Sequence, residues 1–277
     1  MDDICLGIFL GVVQGVTEFL PVSSSAHVMI FLRTLNFPCQ DKTLNIFLNI
    51  GSLLAVIVFF RHQVWKILLG LMNFLTNQKT GDRYFFVTIL LSSLPTIIIF
   101  GLLEMVFAVD INSTVILSGS MILFAFILYF CDQSPTYKEN ISRKDSLKAG
   151  FVQLISFCPG VSRLGICLSM MRYLKYSREE SFRYSMILSI PPVLGACCLE
   201  LIKIIIGKSI IENWAMVAAG SVSAFILGLI TLSIMVKFLK NYTLLPLIIY
   251  RILFGSFILA EELFPTLTHR ILALLQI

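Results

Sequence analysis

Residues 11–34 read GVVQGVTEFLPVSSSAHVMIFLRT, an apolar run interrupted by one proline and a cluster of polar side chains. Gln14 and Glu18 are four residues apart, so on a helix they stack on one face. Pro21 cannot continue that helix, and the residue before a proline is pushed out of the helical region. Ser23 or Ser24 is then the natural N-cap of a second, short helix. His27 falls one turn beyond Ser24, on the same side. A carboxylate, an amide, hydroxyls and an imidazole thus converge at a broken helix in an apolar setting. Polar groups in lipid are costly, which makes this cluster a functional-site candidate.

Composition describes the surroundings. Hydrophobic residues make up 57% of the 277 and charged residues only 13%, and the mean hydropathy is +0.91. That is an integral membrane protein, not a soluble domain. The net charge of +5 calls for no nucleic-acid partner, because loop placement accounts for it. The seven cysteines show no metal or redox spacing and read as small apolar packing residues. No cleavable signal peptide is expected, since the chain opens with Asp2 and Asp3.

Residues 43–60, 84–107 and 113–131 read as spans, with Pro95 as a kink and 64–75 as a helix lying at the interface. Then the beginning recurs. GFVQLISFCPGVSRLG (150–165) is similar to GVVQGVTEFLPVSSSA (11–26) at an offset of 139, which maps Gly11 to Gly150, Gln14 to Gln153 and Ser23 to Ser162. Three more spans follow, at 182–206, 213–236 and 244–263. The predicted fold is all-α and polytopic: a single membrane domain over 1–277, with repeat 1 over about 1–138 and repeat 2 over about 139–277. Each repeat is one re-entrant helix hairpin plus three transmembrane helices. Three is odd, so the second repeat is inverted relative to the first, a plan common among transporters.

Charge supports this reading. With both hairpins re-entrant, loops 61–83, 132–148, 172–183 and 237–240 share one side and hold fourteen of the 21 basic residues. The opposite side holds five: Arg33, Lys42, Lys203, Lys208 and Arg270. Arg163 and Arg251 remain in apolar stretches. The bias places the basic loops in the cytoplasm and both termini outside.

Both breaks present a helix N-terminus at membrane depth, one after Pro21-Val22-Ser23 and one after Pro159-Gly160-Val161-Ser162. Such ends attract anions, and Gly160 lets backbone approach a ligand closely. Arg163 has a donor fork suited to phosphate, or it neutralises Glu18, and both roles can coexist. Glu18 either holds Mg²⁺ or Ca²⁺ together with the Gln14 carbonyl, acts as a general base, or pairs with Arg163 or His27. Ser24 is a nucleophile activated by His27 or Glu18, or a plain N-cap. His27 is a general acid/base, a nucleophile, or a buried hydrogen-bonded histidine. The substrate that suits such a site is a phosphate ester carried on something apolar.

These residues resemble the undecaprenyl-diphosphate phosphatase family, the bacitracin-resistance proteins (BacA/UppP). That family carries an (E/Q)xxxE motif, then PVSS and a histidine, and later PGxSRSxxT. Here the first motif runs from Gln14 to Glu18, followed by Pro21-Val22-Ser23-Ser24 and His27. The second reads Pro159-Gly160-Val161-Ser162-Arg163-Leu164-Gly165-Ile166-Cys167. Asn49-Ile50-Gly51 and Ile249-Tyr250-Arg251 also resemble family segments. Leu164 replaces a serine and Cys167 a threonine, departures expected to remove hydroxyl donors from the phosphate cradle.

The resemblance implies an enzyme of the bacterial inner membrane, a multi-pass hydrolase acting on a phosphoric anhydride. It would convert undecaprenyl diphosphate to undecaprenyl phosphate and inorganic phosphate, recycling the lipid carrier for peptidoglycan synthesis, with the active site facing outward. Glu18, Ser24, His27 and Arg163 are the expected catalytic residues, Ser24 ahead of His27 as nucleophile. Gln14, Ser23, Gly160 and Ser162 are expected to bind substrate. Membrane lipid is the other expected partner, and a homodimer is left open. The alternative is a polyprenyl-phosphate transporter or flippase, which would use the same architecture and midplane charges without a nucleophile.

Overall fold

A computed structural model describes residues 3–35, 42–106, 113–207 and 213–264. Cys39, Asp110, Lys208 and Arg270 lie outside the described residues, as do the first two residues and 265–277 on which the expected side of the termini partly rests. The first hairpin is α1 (Asp3–Thr17) and α2 (Ser24–Thr34), followed by α3 (Lys42–Phe59), α4 (Arg61–Leu75), α5 (Gly81–Val106) and α6 (Thr114–Asp132). The second hairpin is α7 (Arg143–Gln153), a 3-10 turn at Leu154–Phe157 and α8 (Arg163–Tyr173). After it come α9 (Arg178–Ile205), α10 (Trp214–Asn241) and α11 (Leu245–Leu263).

Gly81–Leu103 of α5 and all of α6, α9 and α10 are long and apolar enough to cross a membrane. Helix α3 meets α4 at a bend of 88°. Helix α11 has 19 residues but carries Arg251, Glu261 and Glu262. Large apolar side chains such as Ile98, Leu123, Phe130, Ile234 and Leu253 point away from the protein, as lipid contact requires. The chain is an all-α polytopic membrane protein.

The boundaries differ from the sequence reading at identifiable caps. Helix α7 starts at Arg143 because the Ser142 hydroxyl accepts from the Asp145 amide, 3.2 Å. Helix α9 starts at Arg178 because Ser177 accepts from the Glu180 amide, 3.1 Å. Helix α1 stops at Thr17, four residues before Pro21, and residues 18–22 continue as turn. Helices α5 and α9 run on through Pro95 and through Pro191 and Pro192. The expected interfacial helix is α4, which exposes Trp65, Met72 and Leu75 and buries Gly70 against α5.

The helices pair across the two halves of the chain. Helix α1 lies along α10, and α7 lies along α5; α10 also packs on α3, and α5 on α9. The two seams are built differently. On α1, Gly7, Gly11 and Gly15 bring backbone against backbone, so that a Cβ on Gly11 would stand 2.2 Å from the Gly220 carbonyl oxygen. Small residues serve helix pairs in lipid because only close approach gains dispersion energy there. The α5–α7 seam adds hydroxyl contacts to a close approach at Gly150, where a Cβ would stand 2.0 Å from the Ser92 carbonyl oxygen. Ser92 and Ser146 are 2.6 Å apart, Tyr184 bonds Ser146, and Gln153 donates to Thr96 at 3.1 Å.

At one end of the molecule Asp132 is buried and accepts from Arg172 at 3.3 Å, Arg178 at 2.7 Å and the Leu244 amide at 3.2 Å. Arg172, counted among the loop cations in the sequence, is thus a buried tie between α6 and α8. Overpacking a close seam costs about 1–3 kcal/mol, so Gly11→Ala is expected to lower the melting temperature of the purified protein. Gly119→Ala on α6, where a Cβ meets nothing within 4 Å, is expected to leave it unchanged or raise it.

Candidate active site

The two proline breaks meet. Around them lies a cavity of about 370 Å³, lined by Gln14, Glu18 and Ser23–Ser25 from the first hairpin and by 156–164 from the second. Helices α3, α5 and α9 close the remaining walls with Asn45, Asn49, Thr96, Phe100, Pro192 and Cys197, among others. A second space of about 200 Å³, sharing Asn45, Ile46, Phe100 and Ala196, continues past Leu199 and Lys203. The cavity therefore opens toward the C-terminal end of α9, away from the Asp132 cluster.

Glu18 is the hub of the site. Arg163 Nη2 donates to its Oε1 at 2.6 Å. Ser24 Oγ donates to Oε2 at 2.5 Å, and Gln14 Nε2 donates to the same oxygen at 3.2 Å. One carboxylate thus joins both hairpins, and both it and Arg163 are only partly buried. Among the described residues no other protein acceptor engages the Arg163 guanidinium, so the rest of its donor fork is open to a ligand.

The two helix N-termini also meet here. Ser23 and Ser162, the residues paired by the offset of 139, both sit at positive φ, 72° and 45°. Ser162 Oγ caps its helix by accepting from the Gly165 amide at 3.1 Å. Ser23 occupies the cap position of α2 but makes no capping bond, and its hydroxyl lies 3.3 Å from that of Ser25. The first amides of α2 are left for an anion.

His27 is the expected site residue that the structure does not bring to the cavity. It is buried between α2 and α11, stacked on Phe254 at 4.3 Å between ring centroids. Its Nδ1 lies 2.8 Å from the Ser23 carbonyl oxygen, which can only accept, so Nδ1 carries the proton. Nε2 therefore accepts from the Tyr250 hydroxyl at 2.7 Å. The sequence spacing placed His27 beside Ser24. Its ring is instead taken up by α11, where it meets Tyr250 and Phe254.

Gly160 has φ of +88°, and a Cβ there would stand 2.1 Å from the Leu117 carbonyl oxygen, so glycine is needed for the close approach of α6, and the residue also lines the cavity. Two further expectations change. Leu164 does line the cavity, but Cys167 packs behind it, its thiol facing the Ala149 carbonyl and Gln153. Cys158 and Cys197, read as packing residues, line the cavity, while Cys5 and Cys198 are exposed.

The sequence reading missed Arg251. It is fully buried and donates from Nε to the Met121 carbonyl at 2.9 Å, from Nη1 to that of Pro21 at 3.0 Å and from Nη2 to that of Gly160 at 2.8 Å. One guanidinium on α11 thus clamps both proline turns and α6. Its signal was a charge in an apolar run.

Among the described residues no group of three or more His, Cys, Asp or Glu gathers as a metal cluster. Glu18 and the Gln14 carbonyl are nonetheless oxygen donors on one wall. Magnesium sites commonly use one or two carboxylates with substrate phosphates, so this set fits a hard cation bound together with a diphosphate.

Leaving buried carbonyls unsatisfied costs about 1–3 kcal/mol each. Arg251→Met is therefore expected to lower the melting temperature sharply and to abolish phosphate release. Tyr250→Phe removes one donor to His27 and is expected to cost about 1 kcal/mol of stability while leaving turnover well above that of Ser24→Ala.

Comparison with known proteins follows the same residues. The sequence model of the family described as bacitracin resistance protein BacA matches residues 7–257. The undecaprenyl-diphosphatase of Campylobacter concisus is 31% identical over 256 residues, covering 91% of this chain and 96% of that protein. The undecaprenyl-diphosphatase of a Nocardioides species is 30% identical over 263 residues, covering 92% and 95%. That of a Jannaschia species is 31% identical over 262 residues, covering 90% and 95%. With its two proline turns, Glu18 and Arg163 all inside the matched region, the chain belongs to the BacA family of bacitracin resistance proteins.

Proposed function

We propose that this chain hydrolyses undecaprenyl diphosphate to undecaprenyl phosphate and inorganic phosphate, regenerating the lipid carrier for peptidoglycan synthesis. The observation that carries this reading is the Ser24–Glu18–Arg163 constellation: a hydroxyl on a carboxylate, beside an open guanidinium, between two helix N-termini. Relatives bearing the name undecaprenyl-diphosphatase over almost the whole chain support it. The polyprenyl-phosphate transporter has no such support, and a carrier needs no serine held on a base.

In this mechanism the diphosphate lies between the amides of α2 and α8, and the prenyl tail runs out among apolar walls such as Ile46, Phe100 and Phe157. Ser24 Oγ attacks the terminal phosphorus while its proton passes to Glu18. The bridging P–O bond breaks, and undecaprenyl phosphate leaves. Glu18 then returns its proton to Ser24 as a water molecule attacks the phosphoserine, and inorganic phosphate departs with the water's oxygen. Arg163 and the helix amides face the oxygens on which charge builds, usually the largest catalytic term. Glu18 and the Gln14 carbonyl would hold Mg²⁺ or Ca²⁺, which when bound supplies charge neutralisation at phosphoryl oxygens. Gln14, Ser23, Gly160 and Ser162 shape the cradle.

The reading includes an orientation. The basic loops lie in the cytoplasm, both hairpins are re-entrant, and the cavity opens to the outside of the inner membrane. The continuation past Leu199 and Lys203, at the end of α9 opposite the Asp132 cluster, supports that direction.

Phosphate release from a short-chain prenyl diphosphate tests the chemistry. Ser24→Ala is expected to fall to background. Arg163→Lys, which keeps charge but loses the planar fork, is expected to fall at least about tenfold, or roughly 1.4 kcal/mol of barrier. Near-normal turnover in folded Ser24→Ala would remove the serine mechanism. For topology, single cysteines at Thr34 and Lys144 in a cysteine-free background should label from opposite sides with an impermeant thiol reagent. Labelling of both from one side would overturn the inverted arrangement.

A further inference from the structure

We propose that Asn49, on α3, is a positioning residue that fixes which end of the Gln14 amide faces the cavity. The proposal deepens the reading of a cation at Glu18 and Gln14 and rests on it. The argument follows hydrogen-bond polarity through three residues. Asn49 reaches the Asn45 backbone carbonyl at 2.8 Å. A carbonyl oxygen can only accept, so the Asn49 atom there is the amide nitrogen, whatever the ambiguity of amides elsewhere. The other end of Asn49, Oδ1, therefore faces Gln14, 3.0 Å away. An oxygen facing Gln14 requires a donor, so Gln14 presents Nε2, whose second N–H goes to Glu18 Oε2 at 3.2 Å. The backbone of α3 thus dictates, through Asn49, that the nitrogen of Gln14 is turned inward.

What is left over is the Gln14 carbonyl oxygen. Among the described residues no donor reaches it. The only sealed side-chain polar atoms lacking a partner among those residues are Ser181 Oγ and Arg183 Nε. The Gln14 oxygen is therefore not sealed; it opens on the cavity that Gln14 lines. An amide oxygen repels a phosphate oxygen but suits a hard cation. Without Asn49 only the longer bond to Glu18, 3.2 Å, holds the amide, so it turns over more readily, offers its NH₂ to the cavity and loses an oxygen ligand.

Outer partners that orient a ligand are worth about 10–100-fold in metal affinity. The test uses purified full-length protein and Mn²⁺ as probe, with binding read by electron paramagnetic resonance in the presence of a non-hydrolysable short-chain prenyl bisphosphonate. Asn49→Leu, similar in size, is expected to weaken Mn²⁺ binding about tenfold. Phosphate release by this variant is expected to fall at low Mg²⁺ and to recover as Mg²⁺ is raised. Asn49→Asp still accepts from Gln14 Nε2 and is expected to bind Mn²⁺ at least as tightly as wild type. Gln14→Leu should weaken binding like Asn49→Leu, and the double variant should add little to either, because the two act as one unit. Unchanged Mn²⁺ affinity in folded Asn49→Leu overturns the positioning role. Equal weakening in Asn49→Leu and Asn49→Asp does so too, since it would reflect packing alone. If wild type binds no Mn²⁺ and keeps full activity in excess chelator, the cation reading itself falls, an outcome distinct from the other two.

Discussion

A positive charge with no carboxylate beside it among the described residues holds this protein's centre together. Arg251 is fully buried, and its bonding partners are three backbone carbonyls, those of Pro21, Met121 and Gly160. Burying a guanidinium costs several kcal/mol unless its donors are satisfied. Here they are satisfied by dipoles that the two turns cannot use internally, because prolines and positive φ values have broken the helical ladder. The turns need a donor and the arginine needs acceptors, and each need is met only when both hairpins are in place. The Pro21 and Gly160 turns are thereby held within reach of a single guanidinium. Arg163 completes the arrangement from the other side through Glu18.

That arrangement carries strain. Ser23 and Ser162 occupy positive φ without being glycine, at a cost of about 1–3 kcal/mol each. In return the chain reverses within a few residues and aims the first amides of α2 and α8 into one cavity. At Ser23 the same conformation starts the helix whose first residue, Ser24, meets Glu18. The two N-terminal serines divide their tasks: Ser162 satisfies its own helix, while Ser23 leaves its helix open.

Much of this was legible in the sequence because it is local. Pro21 and Pro159 marked the breaks, the four-residue spacing of Gln14 and Glu18 gave their contact, and apolar runs gave the long helices to within a few residues. The meeting of Glu18 with Arg163 was readable only by pairing the two similar proline breaks. What the sequence hid depends on distant partners. Asn49 looks like any polar residue in a span until Gln14 is placed beside it. Tyr250 and Arg251 are separated from the residues they bind by more than 200 positions in the case of His27 and Pro21. His27 misled for the opposite reason: its sequence neighbours belong to the site, but its own ring is taken up by Tyr250 and Phe254 of α11. The cap that starts α7 inside a basic loop was likewise masked by charge.

The glycine seam between α1 and α10 has a bearing on how the protein is made. Helix α1 begins at Asp3, whereas the partner that covers its glycines begins at Trp214. At a synthesis rate of about 5–20 residues per second, roughly 10–40 seconds separate the two. Through that interval the first hairpin carries a bare backbone ridge and an unclamped proline turn. Arg251 emerges later still. The amino-terminal third of the chain therefore cannot mature in the order in which it is synthesised. It has to be sheltered, by lipid or by the insertion machinery, until the last two helices arrive and close the molecule around it.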